Sequence, residues 1–185
     1  MKDMKTKRLT FLSLMIGYSL ILYIVETYIP NPLIILFPGA KLGLTNIITL
    51  ISLILLGGKD TFIIVTIRVI LSSIFSGPLS YLLFSIGGAY LSLVLMYIIS
   101  KIDGFSLIGV SIIGAIGHNI GQLIVASIIV ENALAIGYLP FMLTASLVTG
   151  FFVGIVAKYC IPLIGKLCKM HWQRISKFDK IHIKI

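Results

Sequence analysis

Three groupings of polar residues interrupt an otherwise apolar chain, and each has a chemistry to offer. Arg68 stands seven residues after Thr61 and shares a helical face with Thr61, Ser72 and Ser76 through steps of three and four. Its guanidinium is a planar fork of donors suited to clamping a carboxylate or phosphate. The structural alternative is an ion pair with Glu26 or Glu131, or hydrogen bonds to helix carbonyls. His118, Asn119 and Gln122 form the second grouping, in which His118 and Gln122 are four apart and extend a stripe of small residues through Ser111, Ala115 and Ala126. Such a stripe serves either as the wall of a polar cavity or as a source of interhelical hydrogen bonds. The third places Lys41, Thr45, Asn46, Thr49 and Ser52 on one face, opposite Glu26, with Ser19 and Tyr23 beneath Glu26 at steps of four and three. Convergence of the three faces would enclose a cavity open to one side, where Lys41 and Arg68 attract an anionic group, His118, Asn119 and Gln122 orient it, and Tyr23 and Tyr81 supply aromatic walls.

Other chemistries are missing from the pattern. The aspartates Asp3, Asp60, Asp103 and Asp179 are isolated, whereas diphosphate chemistry uses clustered aspartates to hold magnesium. There is no glycine-rich phosphate loop, no nucleophile elbow and no paired-carboxylate site. No second His, Cys or carboxylate stands at ligand spacing near His118, so neither a metal nor a cofactor is expected, and Cys168 with His171 is a weak pair. These absences favour a binding protein over an enzyme acting alone.

The elements that must carry these residues are membrane helices. Of 185 residues, 58% are hydrophobic and only 11% charged, well below the quarter of charged residues usual in a soluble domain. Between Leu9 and Ala157 the charged residues are Glu26, Lys41, Lys59, Asp60, Arg68, Lys101, Asp103 and Glu131, equal in sign, so the formal charge of +9 resides at the two ends. That distribution marks membrane topology and not nucleic-acid binding. Polar punctuation divides the chain into apolar segments at about 9–25, 42–56, 61–75, 78–100, 107–130 and 140–160, with Gly57-Gly58-Lys59-Asp60 as the sharpest turn. The second and third are short for a full crossing, and thinning, tilt or extension is expected there. The expected fold is therefore all-α, an integral membrane bundle of six transmembrane helices over residues 9–160. A basic cytoplasmic N-terminus (1–8) precedes it and a basic amphipathic cytoplasmic tail (161–185) follows, the latter suited to lying on anionic lipid.

Six crossings put both termini on one side, and their basic residues make that side cytoplasmic, with Lys59 and Lys101 in loops on the same side. No small-residue cleavage site follows the first apolar run, so it is expected to be retained. Cys160 and Cys168 lie toward the reducing side, and no structural disulfide is expected. The outer loop from Glu26 to Lys41 is the longest and richest in proline, a lid or a plain connector. Small residues four apart, Ser13 and Gly17, Gly117 and Gly121, Gly150 and Gly154, can bring helices together within the chain or against another protein.

The runs Pro38-Gly39-Ala40-Lys41-Leu42-Gly43-Leu44-Thr45-Asn46-Ile47 and Gly114-Ala115-Ile116-Gly117-His118-Asn119-Ile120-Gly121-Gln122-Leu123 resemble a bacterial membrane family. It is the one called heptaprenyl diphosphate synthase component I, or the Gx transporter family. The resemblance extends through Arg68 to Ser73, Ser80 to Ser92 and Leu139 to Gly154, covering roughly residues 9–160 and placing the chain in a bacterial cytoplasmic membrane. It implies two functions. One is the substrate-binding (S) component of an energy-coupling factor (ECF) transporter, which captures a small anionic, isoprenoid, quinone-precursor or flavin-related ligand and works with a coupling subunit and ATPases. The other is an accessory subunit of heptaprenyl diphosphate synthesis for the menaquinone side chain. A membrane anchor for flavin-based extracellular electron transfer is a third reading. S components often dock the coupling subunit through an alanine-x-x-x-alanine pair in the first helix, to which Ser13-x-x-x-Gly17 is the nearest equivalent here.

Overall fold

The computed structural model describes residues 2–29, 43–76, 79–131 and 137–167. Lys41 and the proline-rich loop, Cys168, His171 and the basic tail lie outside the described residues, as does the side chain of Tyr81. Among the described residues the chain forms six helices and no strand: α1 (Lys2–Tyr28), α2 (Asn46–Leu55), α3 (Gly58–Ser76), α4 (Leu79–Ile99), α5 (Leu107–Val130) and α6 (Leu139–Leu167).

The bundle is apolar outside and buries a set of polar and charged side chains within. Phe62, Ile63, Ile70 and Ile74 of α3, Ile124 and Ile128 of α5, and Phe141, Val148, Phe151 and Phe152 of α6 are exposed, while Glu26, Arg68, His118, Asn119 and Gln122 are buried. Water would penalise that exterior and lipid does not. Among the described residues four helices are long and apolar enough to cross a bilayer, over Thr6–Tyr28, Leu82–Ile99, Leu107–Ile129 and Leu139–Lys166. The protein is therefore a membrane protein.

Each segment read from the sequence became a helix, but the crossing length and apolarity are met by α1, α4, α5 and α6. The 10 residues of α2 rise only about 15 Å, half of a hydrocarbon core. The reason lies at its two ends. Residues 43–45 form a turn rather than helix, with the Asn46 N–H donating to the Gly43 carbonyl at 2.9 Å. At the other end Gly57 adopts φ +88° and stops the helix. Every residue of α2 is buried, and the helix touches all five others. It is a central post enclosed by protein, so its length need not match the bilayer. Leu50 and Ile51 of α2, Ile64 and Val65 of α3, Leu93 and Met96 of α4, and Val153 and Ala157 of α6 pack into one core around it.

Glycines settle where helices meet. A Cβ on Gly121 would lie 2.2 Å from the Gly87 carbonyl oxygen, so the α4 and α5 backbones touch. A Cβ on Gly150 would come within 2.6 Å of the Ile112 Cα, which seats α6 against α5. The spacings at 117/121 and 150/154 thus serve packing inside the chain. Ser13 and Gly17 differ, for Ser13 is exposed and a Cβ on Gly17 would meet nothing within 4 Å.

Candidate functional site

Three helices bury a polar stripe because their opposite faces are apolar. On α1, Ser19, Tyr23 and Glu26 are buried while Tyr18, Ile21 and Val25 are exposed. On α3, Thr61, Val65, Arg68 and Ser72 are buried while Ile63, Ile67, Ile70 and Ile74 face outward. On α5, Ser111, Ala115, His118, Gln122 and Ala126 are buried while Ile124 and Ile128 are not. Steps of three and four put each set on one face, and lipid takes the other.

The stripes meet at the end of the bundle where α1 finishes and α2 begins. Tyr23, Glu26, Thr45, Arg68, Ser85, His118 and Gln122, from four helices and the turn before α2, line one small cavity. Gly43, at φ +85°, turns its N–H to donate to Glu26 Oε1. A Cβ on Gly43 would lie 3.0 Å from Asn46 Nδ2 and 3.3 Å from His118 Cδ2, so only glycine lets this turn lie against both. The His118 ring is in turn packed on the α4 backbone, since a Cβ on Gly88 would stand 2.9 Å from its Cε1.

Arg68 crosses from the middle of α3 to the first turn of α2, where its Nη1 donates to Thr45 Oγ1 at 2.6 Å. Glu26 supplies opposite charge from α1. Among the described residues Arg68 Nε and Nη2 have no hydrogen-bond partner, nor does either atom of the Asn46 amide, and all of these atoms are buried. Buried donors and acceptors of this kind carry a desolvation cost that a hydrogen-bonding guest would remove. The free space is about 10 Å³ for the centre of a water-sized sphere, about the room one water needs. Among the described residues the cavity is no larger than that, so a larger guest requires the lining helices or the turn before α2 to part.

Of the residues expected at a ligand site, the structure brings together Tyr23, Glu26, Arg68, His118 and Gln122, with Asn46 beside them at Gly43. Asn119 turns the other way. Its Nδ2 donates to Ser146 Oγ at 2.7 Å and to the Met142 carbonyl at 3.0 Å, joining α5 to α6. Lys41 and the Tyr81 side chain are outside the described residues. Thr45 and Ser85 line the cavity without having been singled out for it. Thr45 belongs to the hydrophilic face of the second segment, and Ser85, Ala89 and Ser92 form a small stripe on α4 at steps of four and three, all buried. Among the described residues no three His, Cys, Asp or Glu side chains come together as a metal site would require.

The family model for heptaprenyl diphosphate synthase component I matches residues 15–160, a stretch that includes every residue lining the cavity. No curated protein and no solved structure matches the chain.

Proposed function

The chain belongs to the heptaprenyl diphosphate synthase component I family, and from that premise we propose that it is a membrane-embedded substrate-binding component of the ECF type. It captures a small ligand from the outer side. One observation carries the reading: a buried guanidinium with two nitrogens unpartnered among the described residues, facing a cavity that four helices and the turn before α2 assemble. An ionisable group held at membrane depth costs several kcal/mol, about 2.5 or more, and marks a functional site by default. Because Glu26 lines the same cavity as Arg68, the favoured ligand offers an acceptor to Arg68 and a donor to Glu26, which suits an anionic headgroup with hydroxyl or imide N–H groups, or a quinone-precursor or flavin-related ring, better than a bare multivalent anion.

In this reading the chain passes through the bacterial cytoplasmic membrane six times, the 10-residue α2 forming only the central part of its pass, enclosed by the other five helices, and both termini are cytoplasmic. The outward stripe of α3, Ile63, Ile67, Ile70 and Ile74, supports a lipid-facing α3. The open Ser13 and Gly17 face of α1 is where a coupling subunit docks, with ATPases supplying the energy for release.

The family description supports a second reading, an accessory membrane subunit that works with a prenyl synthase. One experiment separates the two. Small molecules released from the detergent-purified protein are identified by mass spectrometry, beside an Arg68→Ala, His118→Ala variant, and the protein is also added to a purified prenyl synthase. A near-stoichiometric compound lost in the variant supports capture. An empty wild-type protein that raises synthase activity or alters product length overturns capture in favour of the subunit reading.

A further inference from the structure

The opposite end of the bundle holds a second and larger recess, and it is basic. A groove of about 510 Å³ opens between the start of α1, the α2–α3 turn and the end of α4. Leu53, Ile54 and Leu56 form an apolar side, while Lys59, Lys101 and Arg8 bring positive charge. Among the described lining residues the one carboxylate, Asp60, has both oxygens engaged by Arg8, through Nε at 3.0 Å and through Nη2. Lys59 and Lys101 thus face no second carboxylate among the described lining residues.

The groove is also shaped. Lys101 Nζ rests 4.0 Å from the centroid of the Tyr97 ring, an interaction that holds the ammonium over the groove. Tyr97 is seated against Gly58, where a Cβ would stand 2.7 Å from the Tyr97 Cε2, so the turn glycine makes room for the ring. This end carries the basic N-terminus of α1, and basic ends face the cytoplasmic leaflet, where anionic lipids concentrate.

We propose that this groove binds the phosphate headgroup of an anionic phospholipid of the cytoplasmic leaflet. Lys59 and Lys101 hold the phosphate, Arg8 lines the rim, and the apolar side formed by Leu53, Ile54 and Leu56 takes the first part of the lipid's glycerol and acyl region. A free phosphate ion would use the cations and leave that apolar side without a role. The site is separate from the cavity at Arg68, and its occupancy does not depend on which ligand that cavity takes.

The test is native mass spectrometry of the full-length protein released from detergent with added phosphatidylglycerol, phosphatidylcholine or inorganic phosphate. Wild-type protein should retain phosphatidylglycerol at a concentration about tenfold below that needed for phosphatidylcholine, and Lys59→Gln with Lys101→Gln should weaken that retention on the order of tenfold. Both lysines are exposed, so folding is not at stake. Lys59→Arg with Lys101→Arg should keep the lipid, and Lys166→Gln, a basic change outside the groove, should leave retention unchanged. Equal retention by wild-type protein and the double glutamine variant overturns the site. Displacement of phosphatidylglycerol by millimolar inorganic phosphate overturns the lipid assignment.

Discussion

Arg68 Nη1 donates to Thr45 Oγ1 at 2.6 Å, a bond that reaches from the middle of one helix to the residue capping another, 23 positions earlier in the chain. It joins the charge buried in α3 to the start of α2, the helix in contact with all the others. Whatever moves the Arg68 guanidinium therefore pulls on the centre of the bundle. A ligand that competes for the guanidinium would release Thr45, which lines the cavity, and with it the start of α2.

Thr45→Val keeps the shape and removes the acceptor. It should destabilise the protein by about 1–3 kcal/mol, the cost of stranding one buried donor, while Thr45→Ser should be near wild type. Thermal or denaturant unfolding in detergent measures both, and equal stability of the valine variant would show that the bond carries no net weight.

Glu26 and Arg68 line one cavity with opposite charges. Glu26→Gln and Arg68→Met should each cost about 3–5 kcal/mol by leaving the other charge buried and uncompensated, and the double variant should cost less than the sum. The cycle is read from unfolding midpoints. Additive losses would mean that the two charges do not sense each other.

The glycines separate packing from free surface. Gly121→Ala should destabilise by about 1–3 kcal/mol, because its Cβ would meet the Gly87 carbonyl oxygen at 2.2 Å and backbone cannot give way cheaply. Gly17→Ala should change stability by no more than about 0.5 kcal/mol, as nothing lies within 4 Å. Co-purification with a coupling subunit should show the reverse order if α1 is the docking face, with bulky Gly17→Leu abolishing the complex and leaving the fold intact.

Arg8 and Asp60 tie α1 to the first turn of α3, and the Arg8 side chain is 60% exposed. Asp60→Asn should therefore have a smaller effect on stability than Glu26→Gln, and the effect should shrink between low and high salt as the exposed charge is screened. Unfolding at two ionic strengths checks this, and a salt-independent loss would mean that Asp60 acts through its hydrogen bonds alone.

Much of the buried polar surface was legible in the sequence. Ser19, Tyr23 and Glu26, Thr61, Arg68 and Ser72, and Ser111, His118 and Gln122 share faces by helical spacing alone, and all nine are buried. Asn119 was not legible in the same way. It neighbours His118 in sequence, yet one residue turns the helix by about 100°, which sends its amide to Ser146 on α6 instead of into the cavity. Ser85 is a lone hydroxyl until α4 is seen beside α5.

Hydropathy, periodicity and turn residues already specify the membrane setting, the helical segments and the buried faces, because they act locally and lipid rewards them directly, and the motifs carry the family. That α2 is a short post inside the bundle, that Gly87 and Gly121 touch, and that Glu26, Arg68 and His118 line one cavity while Lys59 and Lys101 line another emerges once the helices are packed. These relationships depend on which helix faces which. That choice is made by long-range packing among residues far apart in the chain, and no local pattern encodes it.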